Sequence, residues 1–211
     1  LCSAVSSYFE TRIDPGAVVW SFSGVRPLYD DGSDKAQEAR RDYTFKIDGS
    51  DSDPKLINIV GGRITTYRRL ALEVIDLINK EQQLRRAPWT DNEPLPGGDF
   101  GIQEFDSELA KLRQAYGFLD ARTAYRLIRC YGTRAHRILD GATAIGDLGK
   151  DFGGGLSERE VDYLRRFEWA EFGDDILWRR SKLGLRLTGE EQRQLAEWLT
   201  AHPLAISCNA A

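Results

Sequence analysis

The residue types best suited to chemistry lie in one stretch, Leu56-Ile57-Asn58-Ile59-Val60-Gly61-Gly62-Arg63-Ile64-Thr65-Thr66-Tyr67-Arg68-Arg69. An apolar strand, two glycines and a helix start bring several backbone N–H groups to one spot, at the positive end of the helix dipole. The glycines let a ligand approach the backbone closely. Thr65 or Thr66 is placed to cap the helix or to donate to an anion, and Arg63 adds a cationic fork at the loop itself. The same residues equally describe a tight strand–helix turn with solvated arginines, because the spacing is not G-x-G-x-x-G. Two further cationic points stand upstream. Arg26, in Ser23-Gly24-Val25-Arg26-Pro27, sits at a strand end stiffened by proline, where an arginine can clamp a substrate at low entropic cost. Pairing of Arg26 with Asp30 or Asp31 on the surface is the alternative. Arg41, the second of an arginine pair, enters the next strand at Asp42-Tyr43-Thr44, a place where arginines are usually just solvated.

The pattern of apolar residues says which elements position these groups. A short helix over residues 1–10 precedes a turn at Asp14-Pro15-Gly16 and a β-rich run, residues 18–23. Residues 42–47 alternate as a half-buried strand, residues 55–60 form another, and residues 65–81 carry Leu70, Val74, Leu77 and Ile78 at helical spacing. Residues 86–103 are rich in proline and glycine and read as a connector between a first part, 1–85, and a helical domain, 104–211. In that domain Asp120 is placed to cap a helix over residues 121–131, with Gly132 ending it. Ser157 with Glu160 and Thr188 with Glu191 have capping-box spacing, and a further helix starts near Asp174. The expected class is therefore α+β: a short mixed α/β segment followed by a bundle of about five helices.

Bulk properties narrow the function. The chain has 211 residues, 41% apolar and 29% charged, the balance of an ordinary globular protein. Its net charge of −4 argues against nucleic acid as the main partner, which needs a basic face. Cys2, Cys130 and Cys208 lie far apart with no C-x-x-C spacing, so neither a metal site nor a disulfide framework is suggested, and a reducing, cytoplasmic compartment fits. No apolar run reaches the roughly 18 residues that span a bilayer. The chain opens at Leu1 and contains no methionine, and it is expected to be a piece of a longer protein.

Taken in order, the tracts V-V-W-S-F-S-G-V-R-P-L-Y-D-D, R-D-Y-T-F and L-I-N-I-V-G-G-R-I-T-T-Y-R-R-L-A resemble the C-terminal half of FAD-dependent glycerol-3-phosphate dehydrogenases. The likeness continues through W-T-D-N-E-P-L-P-G-G, D-L-G-K-D-F-G and E-W-A-E-F-G-D-D-I-L-W-R-R-S-K-L-G-L, covering nearly the whole chain. The resemblance implies that the complete protein oxidises sn-glycerol 3-phosphate to dihydroxyacetone phosphate by hydride transfer to FAD. Electrons would pass on to a membrane quinone, with the protein at the inner face of the membrane. It also implies that Arg26 touches the substrate at its phosphate or its C2 oxygen. Arg41 and Arg63 would lie near the phosphate, and Gly61, Gly62, Arg63, Ile64 and Thr65 would meet the flavin end of FAD. Arg63 stands where the family has lysine, so a planar fork replaces an ammonium.

Two of the family's parts are absent from this sequence. No G-x-G-x-x-G pyrophosphate turn is present, and His136 and His202 fall in the helical region, away from the expected position of an active-site histidine. The chain by itself is thus expected neither to retain FAD nor to turn over without an N-terminal FAD-binding half. Two other readings remain open at this level. One is a glycerol-3-phosphate oxidase that uses oxygen. The other is a helical interaction module that packs a homodimer or a partner through Trp169, Phe172, Trp178 and Trp198.

Overall fold

β-strands exist only where a neighbour completes their hydrogen bonds, and two of the expected segments find one another. In the computed structural model, which describes residues 1–25, 42–50, 53–84 and 87–203, β1 (Thr44–Asp48) pairs antiparallel with β2 (Leu56–Val60). The register runs from Thr44 opposite Val60 to Asp48 opposite Leu56. Residues 18–23 do not form the strand that their β-branched and aromatic composition suggests. No described strand pairs with them; Val19 and Phe22 stay exposed, although the Trp20 and Phe22 rings lie tilted against each other with centroids 5.1 Å apart. High β-propensity does not make a strand without a ladder.

Contacts divide the chain into two units, Leu1–Glu93 and Pro94–Ala211. The first unit also holds α1 (Cys2–Ser6), shorter than the sequence suggests, and α2 (Tyr67–Glu81). The four apolar residues expected to line α2 are only half-buried. Among the described residues of this unit, none is fully buried.

The second unit is built from α3 (Phe105–Ala115), α4 (Ala121–Tyr131), α5 (Ala135–Leu139), α6 (Glu158–Phe167) and α7 (Gly189–Ala201). Its core runs from Leu112 through Leu127, Ile138, Phe152 and Leu164 to Leu195. The mixed α/β segment followed by helices is the class that the periodicities indicate. The Asp120 carboxylate caps α4 by accepting from the Arg122 and Thr123 amides at 2.9 and 3.0 Å. Thr188 and Glu191 close a full capping box at the start of α7. Gly97, from the breaker-rich stretch, accepts a hydrogen bond from the Thr133 amide at 3.2 Å, just beyond the end of α4. Of the aromatics set aside for an interface, Trp178 and Trp198 pack against the core, whereas Trp169 and Phe172 are exposed.

Two helix starts depart from expectation. The segment after Asp174 is a π-helix, Asp175–Arg180, closed by the Ser181 amide on the Ile176 carbonyl at 3.0 Å. The Trp178 indole lies directly over the Gly184 backbone, where even a methyl group would collide with it at 2.4 Å. At α6, the Ser157 hydroxyl accepts from the Glu160 amide, but the Glu160 side chain does not reach back to complete the box. It is drawn inward instead. Glu160 is 1% exposed, and its two oxygens accept from both terminal nitrogens of Arg126 at 2.5 and 2.7 Å. The Tyr131 hydroxyl donates to it at 2.7 Å, and Arg126 also donates to the Gly155 carbonyl at 2.6 Å.

Burial by itself pulls the Arg126 pKa down, but hydrogen bonds and charge from Glu160 outweigh this and hold it above the ordinary arginine value. The Tyr131 phenol is pushed well up, first by burial and then by the Glu160 charge. Removing one partner strands a charge. Arg126→Met is expected to lower the unfolding free energy of the helical unit by about 3–5 kcal/mol. The double replacement Arg126→Met/Glu160→Leu should recover most of that loss. Urea unfolding followed by circular dichroism checks both, and a single variant as stable as the parent would show that the pair is dispensable.

Candidate functional site

β2 stops at Val60, and the next two residues take backbone conformations that side chains rarely adopt: φ is +80° at Gly61 and +102° at Gly62. Space is short there too. A Cβ at Gly61 would come within 3.1 Å of the Asp42 carbonyl oxygen, and one at Gly62 within 3.3 Å of the Leu70 side chain. The chain then extends through Arg63 (φ −135°, ψ 151°) into a single 3-10 turn, Ile64–Thr66, before α2 begins at Tyr67. The first amides of such a turn have no acceptor inside it, so the polypeptide offers N–H groups beside a patch of bare backbone. Ile64 is 86% exposed, and Arg63 and Thr65 are exposed with it.

Thr66 does not serve as an anion donor or a helix cap. Its hydroxyl donates to the Arg63 carbonyl at 3.1 Å and its amide to the same oxygen at 3.0 Å, so it closes the turn. Arg68 forms an ion pair with Asp91, and Arg69 one with Glu73 at 3.0 Å. Of the three arginines in the stretch, Arg63 is the one at the turn; Arg68 pairs beyond α2 with Asp91 and Arg69 within α2 with Glu73. The structure thus brings Gly61, Gly62, Arg63, Ile64 and Thr65 together on one exposed loop. Arg26 and Arg41 lie outside the described residues.

One residue that the sequence reading passed over sits against this turn. Tyr43 is the residue just before β1, and its Cβ would lie 3.7 Å from a Cβ at Gly62. Some burial and then the nearby Glu73 carboxylate on α2 raise the Tyr43 phenol pKa, while the neighbouring Tyr43 and Arg69 groups lower that of Glu73. Only the Arg69–Glu73 spacing of i, i+4 was visible in the sequence.

The helical unit has its own cavity of about 940 Å³, walled by Phe118, Arg122, Ile145 and Leu148 with the glycine-rich segment at Gly154 and Gly155. Asp120 and Asp151 border it, but the first caps α4 and the second accepts from the Gly153 amide at 2.8 Å. His202 accounts for itself at the end of α7, stacked on Trp198 at 4.5 Å. Among the described residues no cluster of three or more metal-binding side chains occurs, and no helix is long and apolar enough to cross a membrane.

A turn with no side chain at two positions and a helix start beside it suits a flat group with a polar edge. Comparison with known proteins bears on which group. Residues 88–200 match the family described as the C-terminal domain of alpha-glycerophosphate oxidase. The chain is 41% identical over 204 residues to a glycerol-3-phosphate dehydrogenase of Pseudomonas aeruginosa, covering 96% of this chain and 40% of that protein. It is 36% identical over 202 residues to the aerobic glycerol-3-phosphate dehydrogenase of Escherichia coli, with the same two coverages of 96% and 40%. A D-erythritol 1-phosphate dehydrogenase of Brucella abortus is 37% identical over 198 residues, covering 94% of this chain and 39% of that protein. The chain thus spans about two fifths of the length of these relatives.

Because the turn depends on bare backbone, Gly62→Ala should be felt locally. The expected outcome is a loss of stability of about 1 kcal/mol or more from the left-handed backbone alone, read as a lower melting temperature. A variant that melts with the parent would mean that the turn relaxes freely.

Proposed function

Because this chain belongs to the family of FAD-dependent glycerol-3-phosphate dehydrogenases and carries their C-terminal domain, we propose that it supplies the C-terminal part of a flavoenzyme that oxidises sn-glycerol 3-phosphate to dihydroxyacetone phosphate. The observation that carries this reading is the double-glycine turn at the end of β2, with Arg63 exposed beside it. Bound FAD supplies the two-electron acceptor for oxidation of the C2 alcohol. Gly61, Gly62, Ile64 and Thr65 meet the edge of the flavin through backbone N–H groups, where a side chain at either glycine would obstruct the approach. Arg26 and Arg41 hold the substrate phosphate, and a guanidinium is suited to this because its donors match phosphate oxygens two at a time. Arg26 also steadies charge on the C2 oxygen as the alcohol becomes a carbonyl. Arg63 adds to the same field, but a guanidinium does not give up its proton near neutral pH. Arg63 therefore binds and does not act as the base.

The absence of any fully buried side chain among the described residues of the first unit supports a second element of the proposal. Residues 1–85 complete a flavin- and substrate-binding domain whose remainder comes from an N-terminal half, with residues 86–103 leading into the helical domain. Electrons leave to quinone, with the protein peripheral to the inner face of the membrane. The family description names an oxidase, so transfer to oxygen is the second reading. Formation of peroxide under air without added quinone would decide for it. The erythritol-phosphate relative shares a secondary alcohol and a phosphate monoester as substrate chemistry, so that compound belongs in the same assay.

In the protein extended by its N-terminal half, Arg26→Ala is expected to lower kcat/KM for glycerol 3-phosphate by more than tenfold, above ~1.4 kcal/mol. A smaller loss removes Arg26 from the site. The 211-residue chain alone is expected to purify colourless and without dehydrogenase activity; stoichiometric flavin absorbance in that preparation would refute the two-part arrangement.

A further inference from the structure

The helical unit closes around a continuous core, yet the loop after α6 keeps two aromatic rings out of it. Trp169 is 85% exposed and Phe172 68%. Loops that face water are ordinarily mobile, but this one is pinned. The Glu168 carbonyl accepts two hydrogen bonds from the Arg180 guanidinium, at 3.0 and 2.6 Å. The Asp175 carboxylate accepts from the amides of Glu171 and Phe172, both at 3.0 Å. The π-helix Asp175–Arg180 supplies both holds, and π-helical turns are frequent at functional sites. Phe172 also borders a cleft of about 600 Å³ lined by Leu177, Ala196 and Leu199. Glu171 and Asp174 are exposed at the same cleft, while Arg179 is paired to Asp175 at 2.9 Å. The surface is therefore apolar with an acidic rim. Aromatic rings on a backbone already held in place lose little entropy when a partner covers them, which is the character of an interface anchor.

The rim and the relatives say what covers it. An anionic membrane face repels exposed carboxylates. The matched stretch is 40% of each of the two bacterial glycerol-3-phosphate dehydrogenases, which leaves about three fifths of their length outside it. A domain joined to this chain by a short linker stands at an effective concentration on the order of millimolar, ahead of any free partner. Resting on the functional reading above, we infer that the loop of residues 169–172 is a docking surface for the N-terminal half of the same polypeptide. The surface it meets is an apolar pocket rimmed by arginine or lysine. Trp169 and Phe172 enter the pocket, and Glu171 and Asp174 meet the rim. The helical domain is thereby held to the N-terminal half by an anchor of its own, besides the connector of residues 86–103.

The test is hydroxyl-radical footprinting, read residue by residue by mass spectrometry, on the protein extended by its N-terminal half and free of lipid. Trp198, packed on the core, is the internal reference for a shielded indole, and N-acetyl-tryptophanamide is the solvated one. Trp169 is expected to be oxidised at least about tenfold more slowly than the solvated reference, which corresponds to a docked form occupied about nine tenths of the time. Trp169→Asn removes the ring but suits the left-handed backbone there (φ +54°). In that variant the oxidation of Phe172 should rise, with the circular dichroism of the parent retained. Trp169 reacting like the solvated reference overturns the inference, as does a Phe172 equally shielded with and without the Trp169 ring. Shielding lost on dilution overturns it in favour of a second copy, and shielding that appears only with phosphatidylglycerol vesicles overturns it in favour of a membrane. An extended protein that oxidises glycerol 3-phosphate with Trp169 solvated overturns the inference alone. One that shields Trp169 but takes up no FAD overturns the functional reading and leaves the docking in place.

Discussion

Glu160 is a carboxylate inside a hydrophobic core, and the helical unit is arranged around keeping it satisfied. Leaving such a charge alone in the interior is prohibitive, so it must be met by charge and by hydrogen bonds of good geometry. Arg126 meets it with two nitrogens from α4, and Tyr131 adds a third donor from the last residue of the same helix. Arg126 then has a donor left for the Gly155 carbonyl. That last contact needs the backbone at residue 155 in the left-handed region (φ +77°) and close against Thr123, where a Cβ would meet the hydroxyl at 2.5 Å. One charge thus fixes the crossing of α4 and α6 and the path of the loop between residues 149 and 157. The Asp120 and Ser157 caps begin the two helices that carry the pair.

The first unit is organised differently. Among its described residues the sheet has two short strands and the long helix α2 is half-buried, so backbone hydrogen bonds and surface pairs hold it more than a core does. Surface pairs such as that of Lys55 with Glu81 contribute little each. Large apolar residues at Tyr8, Phe9, Phe22 and Ile64 face outward. A unit built this way gets its shape from a few close contacts around tight turns, and for that reason the packing of Asp42, Tyr43 and Leu70 against the two glycines matters more here than it would above a full core.

What could be read from the sequence was what is local. The start of α4 at Asp120 and the Thr188 box follow from three or four neighbouring residues, and both are present. The double-glycine turn between strand and helix was legible for the same reason. Features that depend on distant partners were not. Glu160 has capping-box spacing from Ser157, yet Arg126, 34 positions earlier, claims its side chain. Thr66 has the chemistry of an N-cap, but the 3-10 turn puts its hydroxyl on the Arg63 carbonyl. Residues 18–23 have strand composition without a described partner strand. The motifs that mark the family are legible because their order is unusual, whereas the contacts of Arg26 and Arg41 depend on a segment beyond the described residues.

Trp169 ends α6 in a position normally given to glycine. Its φ is +54°, and the amides of Glu168 and Ala170 on either side both donate to the Leu164 carbonyl, at 3.0 and 3.1 Å. Its indole is 85% exposed, yet its backbone is pinned between a closed helix end and the fully buried Ala170. Trp178 and Trp198, by contrast, lie against the core. In spectroscopic terms, the helical unit carries a solvated fluorophore on a rigid mount beside two shielded ones. An external quencher will therefore reach Trp169 first, and light emitted from that position will report whatever comes to rest on this face while the core signals stay constant.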